Sequence, residues 1–226
     1  MMTSTPALKS RNQLAEMALV SGEVQRAMPD QLSLFVDKVA QPSGFSFEPD
    51  FVSADEERAL IGRLGDLPLT PFQFGAFEGK RRIASFGWRY DYSMQKLQQA
   101  SPMPDWLIPF AHRVESSFQL ASGAIQQILC TEYDEGVGIG WHRDKPHFDE
   151  VFGLSLASAC KFRFRRKVDD VWQRLTFDIE PRSLYRLSGA ARNVWEHSIA
   201  PVAARRYSVT FRTMAIAAGK GWGLKR

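Results

Sequence analysis

Two histidines and one aspartate in this 226-residue chain have the types and spacing of metal ligands. His142 and Asp144 stand two positions apart, and His197 follows much further along the chain. Side chains at i and i+2 of an extended strand point to the same face, so His142 and Asp144 are expected to aim together. Two imidazoles and one carboxylate can occupy one face of an iron(II) ion and leave positions for a co-substrate and oxygen. The set predicts an oxygenase-type metal site.

Two arginines further along are placed to bind a small dicarboxylate beside this metal. Arg206, Ser208 and Arg212 are separated by even numbers of residues, so in a strand they share one face. The Cα atoms of the two arginines would lie roughly 20 Å apart. A guanidinium pairs bidentately with a carboxylate, so we expect the arginines to bracket a five-carbon diacid. The alternative is a solvated strand edge.

A competing metal site uses His147. His142, Asp144 and His147 could form a local zinc cluster. That cluster would leave His197 and the two arginines without a role, and Pro146 would stiffen the connecting loop. The set that includes His197 is therefore favoured.

The elements that must position these residues are mostly short strands. Ser53 and Glu56 form a capping-box pattern that opens a helix ending at Gly65, and a second helix is predicted from Pro104 to Phe118. Alternating segments separated by turns then predict an α+β, mainly β fold, either a sandwich or a jelly roll. The predicted strands are Gln126–Tyr133, Val151–Ala157, Lys161–Arg166, Val171–Ile179, Ser183–Leu187 and Arg205–Met214.

Composition sets the outer limits. With 44% hydrophobic and 24% charged residues, the chain is globular rather than disordered, and the net charge of +4 is compatible with a nucleic-acid partner without identifying one. No apolar run is long enough for a membrane span, and no signal-peptide pattern is present. Cys130 and Cys160 are interpreted as buried free thiols, which favours a reducing cytoplasm. Residues 1–40 are predicted to be a loose N-terminal leader and residues 41–226 one domain.

These motifs resemble the AlkB family of iron(II)/2-oxoglutarate dioxygenases. The similarity covers roughly residues 45–214 and is most specific from Trp195 to Arg212. It implies a double-stranded β-helix (jelly roll) with N-terminal helices, with the metal held between its sheets. It also implies Fe(II), 2-oxoglutarate and O2 as cofactor and co-substrates. The matching segments are 129–136, 139–144, 152–156, 162–165, 182–185, 195–198 and 206–212.

The resemblance also implies how 2-oxoglutarate is held. The Tyr133 hydroxyl would donate to a carboxylate of 2-oxoglutarate, although a strand tyrosine is equally often a packing residue. Arg206 is assigned to the distal carboxylate, and Arg212 to the carboxylate nearest iron. Thr131 and Ser208 stand where the family commonly has asparagine; both can form hydrogen bonds but have shorter side chains.

Substrate contacts are predicted from cations interleaved with aromatic residues. The segment near 68–95 resembles the nucleotide-recognition lid of family members that act on nucleic acids. Arg82 would contact phosphate, and Tyr90 and Tyr92 would face the same way into the pocket. Arg163 and Arg165 form a second basic face. A lid strand that only packs on the core, and a basic face that is only solvated, fit the same spacing.

The implied function is oxidative demethylation of N-alkylated nucleic-acid bases (DNA or RNA alkylation repair), with release of formaldehyde, succinate and CO2. Pro146 stands where DNA-repair members often carry an acidic residue that contacts a base amine. A hydroxylase or demethylase of protein or a small molecule therefore stays open. A non-catalytic nucleic-acid-binding or clamp-binding module is the alternative of another class.

One short motif predicts a protein partner. Gln31–Phe35 resembles the peptide by which bacterial repair and replication proteins dock on the sliding clamp, with Leu34 and Phe35 as apolar anchors. The same run could instead be the first strand of the domain. We expect the chain to be a monomer.

Overall fold

The computed structural model describes residues 41–74 and 76–215, so the predicted leader and the Gln31–Phe35 motif lie outside the described residues. The helices of this part are α1 (Ala54–Gly65), α2 (Ile108–Ser117) and α3 (Gly189–Asn193). Its first seven strands are β1 (Phe45–Glu48), β2 (Thr70–Phe74), β3 (Phe77–Phe86), β4 (Trp88–Asp91), β5 (Lys96–Gln99), β6 (Ile125–Tyr133) and β7 (Ile139–His142). The others are β8 (Phe148–Leu156), β9 (Cys160–Val168), β10 (Val171–Ile179), β11 (Leu184–Leu187), β12 (Glu196–Ile199) and β13 (Arg206–Met214).

The strands form two antiparallel sheets and one hairpin. The major sheet has seven strands in the order β1-β11-β8-β13-β6-β3-β2, and the minor sheet has four in the order β10-β9-β12-β7. Strands β4 and β5 pair only with each other. The predicted lid segment 68–95 thus consists of β2 and β3, at one edge of the major sheet, and strand β4. The mainly β jelly-roll prediction is confirmed.

Residue alternation explains how the two sheets pack. In β9, Cys160, Phe162 and Phe164 are buried between the sheets, while the intervening cations face outward. Strand β13 places Val209 and Phe211 in a second core, on the side of the major sheet covered by α1 and α2. The opposite face of β13 carries the arginines toward the minor sheet. One strand therefore fills a core with one face and builds the site with the other.

The two N-terminal helices differ in how well the sequence predicts them. The Ser53 hydroxyl accepts from the Glu56 amide at 3.1 Å, and the Glu56 carboxylate accepts from the Ser53 amide at 2.9 Å, so the predicted capping box is confirmed. Helix α1 ends at Gly65 as predicted. Helix α2 begins at Ile108 rather than Pro104, because residues 105–107 form a turn ahead of it.

Two further predictions concern the burial of the cysteines and membrane-spanning segments. Cys130 and Cys160 are buried free thiols, and burial raises the pKa of Cys130 to about 12. Between residues 41 and 215, no helix is long and apolar enough to cross a membrane.

Candidate metal and co-substrate site

The three predicted metal ligands converge at the open end of the two sheets. Strand β12 pairs with β7 so that His197 lies opposite His142, and their ring centroids are 4.3 Å apart. Strand β7 ends at His142, so Asp144 lies in the following segment rather than in the strand as predicted. Asp144 Oδ2 is still 3.5 Å from His197 Nε2. One donor atom from each residue lies within 4.8 Å of the others, which is within reach of one ion.

The protonation states of these donors suit a metal. The Gly140 carbonyl lies 2.9 Å from His142 Nδ1 and can only accept, so the contact fits the tautomer with its proton on Nδ1, which leaves the Nε2 lone pair for a metal. Burial, and then the neighbouring His142, lower the pKa of His197 to about 3, so this imidazole is neutral at physiological pH. Burial raises the pKa of Asp144, but Arg212 and both imidazoles outweigh burial and hold it below its ordinary value. The donor set therefore fits a divalent cation.

The competing cluster with His147 does not form in the described part of the chain. The donor group there consists of His142, Asp144 and His197. The His147 ring packs 5.3 Å from the Tyr90 ring instead. Buried Arg192, in α3, donates to the Lys145 carbonyl at 2.7 Å and thereby braces the segment that carries Asp144. No pattern in the sequence predicted this contact between Arg192 and the segment that carries Asp144.

Arg206 and Arg212 lie on the site-facing side of β13, as the spacing predicted. Arg212 donates to Asp144 Oδ1 at 2.8 Å and to the Gln127 amide oxygen at 2.7 Å. Arg206 is 0% exposed and donates to the Ser155 hydroxyl at 3.1 and 3.2 Å. Its remaining nitrogen, Nη1, is buried without a partner, and no carboxylate of the described residues pairs with it. Because a buried unpaired charge is costly, this guanidinium fits a site for an anion.

A cavity of about 130 Å³ opens beside the donors. Thr131 and Tyr133 line it, together with all three candidate ligands and Arg212. Arg206 and Ser208 are not among its lining residues; the Arg206 guanidinium lies 5.1 Å from the ring centroid of Tyr133, which does line it. Ser208 is buried in the major sheet, where its register partners are Thr131 and Ser155.

Tyr185 is a cavity residue that the sequence analysis missed. Its register partner in the major sheet is Gly153, and a Cβ at that glycine would lie 2.1 Å from the tyrosine Cζ. Glycine is therefore required for the ring to lie flat on the strand. The tyrosine is buried, lines the cavity, and has its pKa raised by burial. Gly153 and Tyr185 both lie in segments that resemble the AlkB family, and this resemblance was the signal in the sequence that could have identified them.

Comparison with known proteins identifies the family. Residues 72–212 match the model of the 2OG-Fe(II) oxygenase superfamily. The chain belongs to this superfamily. It is therefore a dioxygenase of the kind that uses Fe(II), 2-oxoglutarate and O2.

Individual relatives of this oxygenase agree with the AlkB-like resemblance. It is 28% identical over 188 residues to the "Alkylated DNA repair protein ALKBH8 homolog" of Arabidopsis thaliana, covering 73% of the chain and 53% of the relative. It is 26% identical over 208 residues to the Xenopus tropicalis "tRNA (carboxymethyluridine(34)-5-O)-methyltransferase alkbh8", covering 86% of the chain and 32% of the relative. The chain thus spans about half or less of these two relatives.

Solved structures support the fold of the oxygenase. OsALKBH1 aligns with a TM-score of 0.61 at 18% identity, covering 77% of this chain and 98% of that one. A Pseudomonas putida prolyl-4-hydroxylase aligns with a TM-score of 0.54 at 16% identity, covering 82% and 100%. At these identities the likeness shows the jelly-roll fold alone.

Five residues form what we call the mouth of the oxygenase cavity: Phe72, Arg81, Tyr90, Tyr92 and Lys145. The Tyr90 and Tyr92 ring centroids lie 5.0 Å apart, and the Tyr92 and Phe72 centroids 5.4 Å apart. Lys145 Nζ lies 4.6 and 4.9 Å from the two tyrosine centroids, and the Arg81 guanidinium lies 3.8 Å from the Phe72 centroid. Tyr90 and Tyr92 therefore face the cavity together, as their spacing predicted.

Arg82 lies on the other side of the major sheet. It pairs with Glu132, which also accepts a hydrogen bond from the Tyr207 hydroxyl at 2.8 Å. Since neighbouring residues of a strand face opposite ways, Arg81 lines the cavity and Arg82 does not. The structure places Arg81, rather than the predicted Arg82, in the cavity wall.

Arg163 and Arg165 lie outside the cavity, on a surface that we call the outer face of the minor sheet: Trp141, Arg163, Arg165 and Trp172. The Arg165 guanidinium lies 4.7 Å from the Trp141 ring and 4.4 Å from the Trp172 ring, and its Nε donates to Glu196 at 2.6 Å. The Arg163 guanidinium lies 5.1 Å from the Trp141 ring. These side chains thus contact aromatic rings on the face of the minor sheet that points away from the cavity.

Proposed function

We propose that this oxygenase removes N-linked methyl groups from nucleic-acid bases by oxidation. The observation that carries the proposal is the mouth. Its three aromatic rings stand beside the metal donors, and two cations hold them in place. A flat aromatic base extruded from its strand can stack on such rings, and cations at the rim suit phosphate. A site for a saturated aliphatic substrate needs no wall of this kind.

The reaction balances with the co-substrates of the family. When bound, iron(II) activates O2 so that 2-oxoglutarate is oxidised to succinate and CO2 and one oxygen atom becomes available for a substrate C–H bond. On an N-methyl group this gives N–CH2OH. Its C–N bond then breaks, the hydroxyl proton moves to the nitrogen, and formaldehyde leaves. Both oxygen atoms of O2 are accounted for, one in succinate and one in formaldehyde.

In this proposal the protein side chains bind and orient the metal and 2-oxoglutarate, and they do not transfer protons. His142, Asp144 and His197 would bind the metal through their free donor atoms. We assign Arg206 to the distal carboxylate of 2-oxoglutarate and Arg212 to the carboxylate next to the metal, with Tyr133 donating its hydroxyl. Burial of these groups excludes water, which strengthens each charged contact.

The names of two relatives support the nucleic-acid class. One is named for repair of alkylated DNA and the other for a transfer to a tRNA base. Because this chain spans only part of each, the names do not choose between DNA and RNA for it. The outer face of the minor sheet is proposed to contact the same strand, with Arg163 and Arg165 near phosphates.

A hydroxylase or demethylase of protein or a small molecule is the second candidate. It is favoured by Pro146, because the position two residues after Asp144 offers no carboxylate to recognise a base amine. The folds of prolyl hydroxylases and AlkB-like proteins are both similar to this one, so the fold does not separate the two candidates.

Formaldehyde release tests the proposal. The iron-loaded enzyme is incubated with 2-oxoglutarate and with methylated or unmethylated oligonucleotides, single-stranded and double-stranded. We expect formaldehyde and succinate in equal amounts from methylated strands, and none with the Asp144→Ala variant. Turnover of a protein or small molecule alone, with all methylated strands inert, would refute the nucleic-acid assignment.

A further inference from the structure

The aromatic rings of the mouth already face cations of the protein itself. Lys145 Nζ lies over both Tyr90 and Tyr92, and the Arg81 guanidinium lies over Phe72. A ring attracts a cation through its negative face, and one ring face holds one such group. A base that stacks on the tyrosine faces that Lys145 covers would therefore lie next to the Lys145 ammonium or displace it.

The charges around the cavity are strongly unequal. Among the described residues that line it, four are cations and one is a carboxylate: Arg81, Arg143, Lys145, Arg212 and Asp144. The Asp144 carboxylate does not balance the other cations, because it accepts a hydrogen bond from Arg212 at 2.8 Å and is one of the three candidate metal donors. Neither Arg81 nor Lys145 has a carboxylate partner in the described part of the chain. The substrate end of the cavity therefore has an unbalanced positive charge.

Methylated bases differ in charge, and this difference matters in such a cavity. N1-methyladenine and N3-methylcytosine carry a delocalised positive charge at neutral pH. N1-methylguanine and N3-methylthymine are uncharged; the methylated nitrogen lies next to one carbonyl group in N1-methylguanine and between two in N3-methylthymine. Those oxygens can accept hydrogen bonds from a guanidinium or an ammonium, whereas a cationic base would be repelled by both.

We propose that this enzyme acts on N-methylated bases that are uncharged and have at least one carbonyl oxygen beside the methylated nitrogen, with Lys145 and Arg81 selecting against the positive charge of cationic lesions. This inference rests on the proposed function and narrows its substrate class. Lys145 and Arg81 are specificity-determining residues in this assignment, and neither takes part in the oxidation itself. Pro146 agrees with it, because a carboxylate at that position would compensate the charge of a cationic base.

Four oligonucleotides of one sequence, each with one of the four methylated bases, test this assignment with the iron-loaded enzyme. We expect kcat/KM for formaldehyde release to be about tenfold or more higher for the uncharged bases, since a unit charge at close range changes the transition-state energy by that order. The Lys145→Glu variant should reduce this preference about tenfold or reverse it. Arg63→Glu makes the same charge change on an exposed residue of α1 and should leave the preference unchanged.

Binding supplies a second readout that needs no turnover. Affinities of the same oligonucleotides are measured for the Mn(II)-loaded enzyme with 2-oxoglutarate and without O2, for the wild type, Lys145→Glu and Arg63→Glu. Equal or better use of the cationic bases overturns the charge assignment and leaves the proposed function intact. If no methylated base releases formaldehyde, the proposed function fails. In that case this inference, which rests on the proposed function, fails with it.

Discussion

Arg206→Met is the substitution that most directly tests how the co-substrate is held. Methionine has a similar length without the charge, and the guanidinium that it replaces is fully buried with one nitrogen unpaired. Two charge-assisted hydrogen bonds to a carboxylate contribute roughly 1.5–3 kcal/mol each, so their loss should cost about 3 kcal/mol or more. The dissociation constant of 2-oxoglutarate should therefore rise by about 100-fold or more.

The same substitution should change the stability of the protein without co-substrate only slightly. It removes the cost of a buried charge that no carboxylate pairs with, but also two hydrogen bonds to the buried Ser155 hydroxyl, so the free energy of unfolding should change by about 1 kcal/mol or less. Isothermal titration of the Mn(II)-loaded enzyme with 2-oxoglutarate under anaerobic conditions measures the affinity, and urea unfolding measures the stability. Arg205→Met is the matched control, because Arg205 is exposed and pairs with Asp134 at 3.1 Å. A change of less than about threefold in affinity for Arg206→Met would refute the assignment.

Three further changes test the metal ligand, the cavity wall and the outer face. In metal-free protein, His197 is neutral when folded and takes up a proton near pH 6.5 when unfolded, so stability should fall between pH 6.5 and about 3 by roughly 1.4 kcal/mol per unit from this group. Urea unfolding at pH 7 and pH 5 measures this loss of stability, which should be absent in His197→Gln and present in His112→Gln. The same pH dependence of the unfolding free energy in both variants would contradict the prediction. Gly153→Ala should cost about 1–3 kcal/mol in thermal unfolding and weaken 2-oxoglutarate binding, because the methyl group overlaps the buried tyrosine ring, whereas Gly140→Ala, with open space around it, should do neither. Arg163→Gln should weaken oligonucleotide binding equally for all sequences and reduce the salt dependence by about one counterion, and an unchanged salt slope would remove this face from the interface.

The sequence was sufficient for the metal donors and for most strands. Residue type and order identified His142, Asp144 and His197 before any geometry was known, because few other arrangements use two imidazoles, a carboxylate and two arginines in that order. Strand β10 has the predicted bounds, Val171–Ile179, since alternation and turn residues mark both of its ends. The capping box predicted the start of α1 because it is a local signal within four residues.

The features of the site that could not be predicted from the sequence depend on pairing between segments that are far apart in the chain. The choice between Arg81 and Arg82 depends on which residue of β3 faces inward, and a slip of one residue reverses it. The contact between Tyr185 and Gly153 arises only when β11 pairs with β8 in one register. The brace from Arg192 requires α3 to approach the metal segment. None of these relations has a local signature.

The central claim is that His142, Asp144 and His197 bind one iron(II) ion together with 2-oxoglutarate. Anaerobic titration of the protein with Fe(II) and 2-oxoglutarate, followed by visible absorption and equilibrium metal analysis, tests it most directly. We predict one iron per chain and a weak visible charge-transfer band, both lost in His197→Ala and both retained in His147→Ala. Retention in His197→Ala with loss in His147→Ala would contradict the site.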